Sequence, residues 1–331
     1  MADVTSVVSG TGKAIGRYFS VVSVLPSILL VTYVFLLFSS GSWQHAPNWH
    51  AAFAALRNIG LAGAAVLAVS GIVLALVMHP LQFSMVQLLE GYWGPGWLAQ
   101  RIRVSRIQRH RNHLFWLYGL CREAASTLRR FDPYDPSLDK LKPDAIERLW
   151  LTAMSLYGEA DRSKDRYPED PDHTMPTRLG NMLRRYEVLA GVPYALDAPR
   201  VLPCLALVAP PGHVDYLNDQ RSALDLAVRT SITSAIACLV TLVFLWHSGL
   251  WLLIALIPYA AAYAAYRGSV IAAESYGITM SAVIALNRFA LYEYMHMPRP
   301  PTTARERVMN EDLMALLKYK KGASLTYRHP G

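Results

Sequence analysis

Long stretches without a charged side chain alternate along this chain with stretches dense in charge, and the uncharged ones come in two pairs. Residues 18–56 contain no Asp, Glu, Lys or Arg, and within them 21–38 has spanning length, because about 20 helical residues at ~1.5 Å each cross a ~30 Å hydrocarbon core. Pro26 lacks an amide donor and predicts a kink or a fresh start near the beginning of this run. The connector GSWQHAPNWH carries Trp43 and Trp49 but no Lys or Arg, which suits the membrane interface away from the cytoplasm. Residues 58–89 form the second uncharged stretch. They predict a span rich in small side chains that continues helically beyond His79-Pro80 until Gly94-Pro95-Gly96. The second pair lies in 230–266, where His247-Ser248-Gly249 divides 37 uncharged residues into two runs of 17.

Between the pairs the pattern changes to amphipathic helix. Leu114, Phe115, Leu117, Tyr118, Cys121 and Leu128 recur at helical spacing, as do Ile146, Leu149, Trp150, Ala153, Met154 and Tyr157, and both sets read as core faces. FDPYDPSLDKLKPD breaks the two, DRSKDRYPEDPDHTMP is a charged loop, and Thr177 predicts the cap of a helix over RLGNMLRRYEVL. Residues 268–294 are too polar for lipid and too apolar for open water, so they are expected to pack against the soluble part. Tyr259, Tyr263 and Tyr266 form an aromatic stripe that reads as helix packing. Thr303 and Glu306 offer a capping box for a last helix. No stretch alternates with period two long enough to demand a sheet. The expectation is an all-α polytopic membrane protein with four transmembrane helices in two hairpins and a helical cytoplasmic domain. Its parts run 1–17, 18–93, 94–214, 215–267 and 268–331: amino-terminal segment, first hairpin with its extension, cytoplasmic domain, second hairpin, and closing helices with a basic tail.

Composition agrees with two environments: 53% of residues are hydrophobic and 17% charged, with a pI near 9.4. Between Arg101 and Arg130 eight arginines face one acid, Glu123, a net +7. This band, by the positive-inside rule, puts the middle of the chain and both termini in the cytoplasm, against anionic headgroups, with no nucleic acid expected. Cys121, Cys204 and Cys238 form no CxxC and read as reduced, buried thiols. SGTGKAIG lacks the first glycine of a phosphate loop, and no HExxH, GxSxG or intramembrane carboxylate pair is present, so neither an enzyme nor a cofactor is expected. His110 and His113 read as a surface or headgroup-facing pair, and Asp170, Asp172 and His173 as turn residues. Two features remain as candidate sites. Arg178, Asn181 and Arg185 share a helix face beside a capped amino terminus, either as an anion or headgroup surface or within an internal network of arginines and acids. Gly60, Ala64 and Ala68, with Gly71 and Ala75 on a second row, permit close helix approach or line a path.

The run YPEDPDHTMPTRLGNMLRRYE, followed by Tyr194, Asp197 and PRVLP and then RSALDLAVRTS, resembles an uncharacterised group of bacterial membrane proteins. The order of two spans, a helical cytoplasmic block, two spans and a cytoplasmic tail is similar to the bestrophin family of pentameric anion channels. FSMVQLLEGYW occupies the place of that family's segment after the second span, without its characteristic arginines. The resemblance in arrangement implies a homo-oligomeric channel in the inner (plasma) membrane. A membrane-anchored scaffold that recruits a cytoplasmic protein partner is the alternative expectation.

Overall fold

The computed structural model describes residues 24–131, 143–319 and 324–328. The amino-terminal segment with SGTGKAIG, most of the proline-rich break after Phe131 and much of the basic tail lie outside these. Every regular element among the described residues is helical. The α-helices are α1 (Leu25–Ser39), α2 (Trp49–Arg57), α3 (Gly60–Met78), α4 (Gln82–Glu90), α5 (Trp97–Arg130), α6 (Pro143–Lys164), α7 (Arg178–Leu189), α8 (Ala198–Val208), α9 (Pro211–Phe244), α10 (Leu256–Tyr294) and α11 (Thr303–Leu317). The chain forms two compact units, each assembled from distant stretches: Met1–Leu88 with Val208–Thr279, and Leu89–Leu207 with Met280–Gly331.

Among the described residues three apolar helical segments are long enough to cross a membrane: Gly60–Met78, Pro211–Phe244 and Gly249–Tyr294. Helix α1 is equally apolar, but it is 15 residues long, and 21–23 of the expected first span lie outside the described region. Pro26 occupies the first turn of α1, where its missing amide hydrogen costs no helical bond. The second span is shorter than the uncharged stretch suggested. It ends in a turn at His79-Pro80, because Pro80 cannot donate to the preceding turn, and helix resumes at Gln82. The connector after α1 also departs from expectation. It ends in the short helix α2, whose cap Asn48 accepts a 3.1 Å hydrogen bond from the Ala51 amide.

In the first unit, the small side chains of α3 are used inside the chain. Gly71, Ala75 and Met78 are its buried residues, and a methyl group at Gly71 would lie 2.8 Å from the Ile28 Cα of α1. Ala64 is exposed, and Gly60 starts the helix at φ +64° with open space around it. Polar contacts fix the other helices. Tyr33 and Thr241 share a 2.7 Å hydrogen bond between α1 and α9, and the Ser231 hydroxyl donates to the Ala262 carbonyl at 3.1 Å. Trp43 packs on Phe244 and Trp49 on Trp251, with ring centroids 6.2 and 6.4 Å apart. Tyr259 and Tyr263 do not take part in packing as expected among the described residues; both rings are exposed.

The unit also contains a buried cation that the sequence reading passed over. Arg229, 6% exposed, donates from Nε and Nη2 to the Gln82 side-chain oxygen at 3.2 and 3.1 Å, while Gln82 donates to the Asp225 carbonyl at 3.0 Å. Its signal was present in the sequence: an arginine opening an apolar run, with an acid four residues before it and a glutamine just past the His79-Pro80 break.

Candidate functional site

In the second unit, α5 and α6 pack along one another, with Leu114, Leu117, Ala160 and Tyr167 at the centre of the seam. Helical spacing placed Leu114 and Leu117 correctly. Phe115, Leu149 and Met154 are instead exposed. His110 is turned inward, with Nδ1 3.0 Å from the Tyr167 hydroxyl. Burial, and then the charges of Arg178, Arg106, His113 and Arg109, pushes it down to about 4, so it is neutral near pH 7. His113 is exposed and stacks on Trp116. The expected surface histidine pair is therefore divided between two environments.

Around α7 the chain closes tightly on itself. The Thr177 hydroxyl accepts from the Gly180 amide at 3.0 Å, as its capping role predicts, and donates to the Glu90 carbonyl at 2.9 Å. Gly180 leaves room for this approach, since a Cβ there would strike the Glu90 carbonyl oxygen. Gly91, at φ +108°, likewise lies against the Pro176 ring, and its left-handed backbone ends α4 before Gly94 is reached. Asn181 is 1% exposed. Its amide donates to the Met175 and Thr177 carbonyls at 2.9 and 2.8 Å, and its oxygen accepts from the Met175 amide at 2.8 Å. Arg185 donates to the Tyr167 carbonyl at 3.0 Å and pairs with Asp165 at 3.1 Å. Arg178 is exposed. The structure thus does not bring Arg178, Asn181 and Arg185 to one exposed surface: the amide is committed to the loop before α7, and Arg185 holds the loop before that.

The same helix carries a second cluster. Thr177, Gly180, Arg184 and Glu187 follow one another at i, i+3, i+7 and i+10, and the Glu90 carboxyl feels the charges of the last two. Arg184 reaches Glu187 at 3.4 Å, and its buried Nε has no hydrogen-bond partner among the described residues. Burial first, and then the Glu187 carboxylate, raises Glu90 from 4.5 to about 7, with Arg184 opposing. A half-buried carboxyl that feels a second carboxylate can hold a proton at neutral pH.

A third cluster replaces an expected cap. Thr302, rather than Thr303, caps α11 by accepting from the Arg305 amide. Glu306 does not turn back to the helix start. It is 2% exposed, receives Arg288 Nε at 2.7 Å and accepts the Tyr292 hydroxyl at 3.0 Å. Asn310 donates to the Tyr292 oxygen at 2.6 Å and to the Tyr194 carbonyl at 2.8 Å, and the Arg288 guanidinium lies 4.0 Å above the Tyr194 ring. The Glu306 carboxylate is met by both a guanidinium and a hydroxyl, the arrangement that makes a buried ion pair tolerable, while the buried Asn310 Oδ1 has no hydrogen-bond partner among the described residues.

Asp170 accepts from the Asp172 amide within a 3-10 turn, and Asp172 pairs with Arg111 at 3.0 Å. Among the described residues no group of three or more His, Cys, Asp or Glu is placed to hold a metal ion. Cys121, Cys204 and Cys238 are free and half-buried.

Together these features define a class: an all-helical protein with three segments apolar and long enough to span a membrane, joined to a charged helical unit knit by buried polar contacts. Comparison of the chain with protein-family models, with curated proteins and with solved structures finds no match.

Proposed function

We propose that this is a four-span protein of the bacterial inner (plasma) membrane, with both termini cytoplasmic, that assembles as a homo-oligomer and forms a channel whose second span, α3, lines the path. It acts without catalysis, and its basic segments meet anionic headgroups. The observation that carries the reading is the exposure of α3. It buries only Gly71, Ala75 and Met78, while Val66, Val69, Val73, Leu76 and Val77 remain uncovered in the single chain. In a ring of copies, part of such a helix faces its neighbours and part faces an axis, where aliphatic side chains form a gate that conducts when it wets. The buried Gly71 and Ala75 belong to the packing of α3 on α1, which leaves the bulkier residues as the lining.

The test is the oligomeric state in nanodiscs together with ion flux from liposomes. A ring that conducts, and that conducts more when Val73→Ser lowers the wetting barrier, is the expected result. A monomer that passes no ions refutes it. The scaffold reading has an observation of its own: α6 exposes Leu149, Leu151, Met154 and Leu156, outside any spanning segment. Under that reading a cytoplasmic protein covers these residues, and flux is absent while a stoichiometric partner co-purifies.

A further inference from the structure

The amino-terminal half of α5 combines two properties that rarely coexist on a water-facing helix. From Trp97 to His113 it carries Arg101, Arg103, Arg106, Arg109 and Arg111 and no acid. Only Arg111 makes an ion pair among the described residues, with Asp172. On the side turned away from Leu114 and Leu117, Trp97, Leu98 and Val104 are exposed, Trp97 by 74% and Val104 by 63%. Arg101 and Arg109 lie on that same side, and with Gln108 and Asn112 they line an open hollow beside Trp97 and Val104. Guanidinium and amide donors are thus interleaved with an indole and aliphatic side chains over about four helical turns.

We propose that this face of α5 is a docking surface for an anionic phospholipid leaflet, with α5 lying in the headgroup plane: Trp97, Leu98 and Val104 enter the acyl boundary, and Arg101 and Arg109 hold phosphates. The proposal rests on the membrane reading given above and makes one helix of the charged unit part of the membrane surface. Charge selects this occupant over a second copy of the chain. Apposing two such faces would set Arg101 and Arg109 against their own copies with no acid to meet them. Nucleic acid would leave Leu98 and Val104 without a use, whereas an interfacial helix needs basic and apolar side chains together. The exposed tryptophan at the helix start has the amphipathic ring that settles at headgroup level. His110, neutral and hydrogen-bonded to Tyr167, takes no part.

The experiment uses the full-length chain with Cys121, Cys204 and Cys238 replaced by alanine. A single cysteine bearing an environment-sensitive fluorophore is placed at Val104, at Ile107 on the packed side of α5, or at Leu239, exposed in the apolar helix α9. Each protein is reconstituted in phosphatidylcholine vesicles with and without phosphatidylglycerol, and quenching by brominated lipid is compared with quenching by aqueous iodide. The Val104→Cys label is expected to be quenched by lipid and shielded from iodide when phosphatidylglycerol is present, and the Ile107→Cys label is not. Arg101→Gln and Arg109→Gln each lower the ratio of lipid-contacting to water-exposed label about fivefold. An iodide-accessible Val104→Cys label in phosphatidylglycerol vesicles overturns the proposal. If Leu239→Cys is quenched by lipid and Val104→Cys is not, the docking surface fails while the membrane reading stands; if neither is quenched, both fall.

Discussion

Replacing Glu90 by glutamine removes a proton site whose affinity is set by folding, and its effect can be worked out against an opposing site in the same unit. Glu90 is raised from 4.5 to about 7, so between these values the folded chain holds a proton there that the unfolded chain has lost, and stability falls as pH rises. His110 is lowered from 6.5 to about 4, so the unfolded chain holds the extra proton between those values, and stability rises with pH. A displacement of either size corresponds to about 3 kcal/mol, which screening at a half-buried group reduces to about 1 to 2 kcal/mol. The two slopes nearly cancel from pH 4.5 to 6.5, and only the Glu90 loss continues above that, to its completion past pH 7. Thermal unfolding in detergent, followed by helical circular dichroism across pH 4.5 to 8, should therefore show a nearly flat wild-type profile that drops above pH 6.5. Glu90→Gln should convert it to a profile that rises to pH 6.5 and then stays level, with the variant about 1 to 2 kcal/mol more stable than wild type at pH 8. Parallel profiles, or a variant less stable at pH 8, would refute the reasoning.

Gly71→Leu is expected to wedge α3 from α1, because the first added carbon already lies 2.8 Å from the Ile28 Cα. A loss of about 1 to 3 kcal/mol in thermal unfolding should follow; unchanged stability with altered flux would assign Gly71 to a lining role. Glu306→Ala leaves the Arg288 guanidinium buried beside Tyr292 without its counter-ion, and a loss of about 3 to 5 kcal/mol is expected, smaller when Arg288→Met accompanies it. Asn181→Ala removes three hydrogen bonds to the loop before α7, so a loss of about 2 to 3 kcal/mol and faster proteolysis over 165–177 should result. Arg178→Ala, at an exposed position, should change stability by less than about 0.5 kcal/mol.

Much of the helical architecture was determined by local pattern alone. An uncharged run such as 58–78 leaves the backbone no partner in hydrocarbon except its own next turn, so helix and membrane-spanning length could be read together. The Thr177 cap and the core places of Leu114 and Leu117 were legible for a similar reason: each depends on residues three or four positions away. Other features depended on what distant residues placed beside them. Gly71 and Ala75 could serve any close helix contact until α1 supplied Ile28. Glu306 stood at capping-box spacing, but Arg288 and Tyr292, remote in sequence, drew it into a buried ion pair. Asn181 lost its apparent surface role to the backbone of Met175, and Glu90 acquired its shifted proton affinity from Arg184 and Glu187, nearly a hundred residues away. Hydrophobic period and cap chemistry act over one or two turns, so the sequence by itself determined which stretches are helical and which could enter a membrane. Desolvation and charge pairing depend on distance through space, so only the tertiary structure decided which polar groups are buried, which are exposed, and which exchange protons near neutral pH.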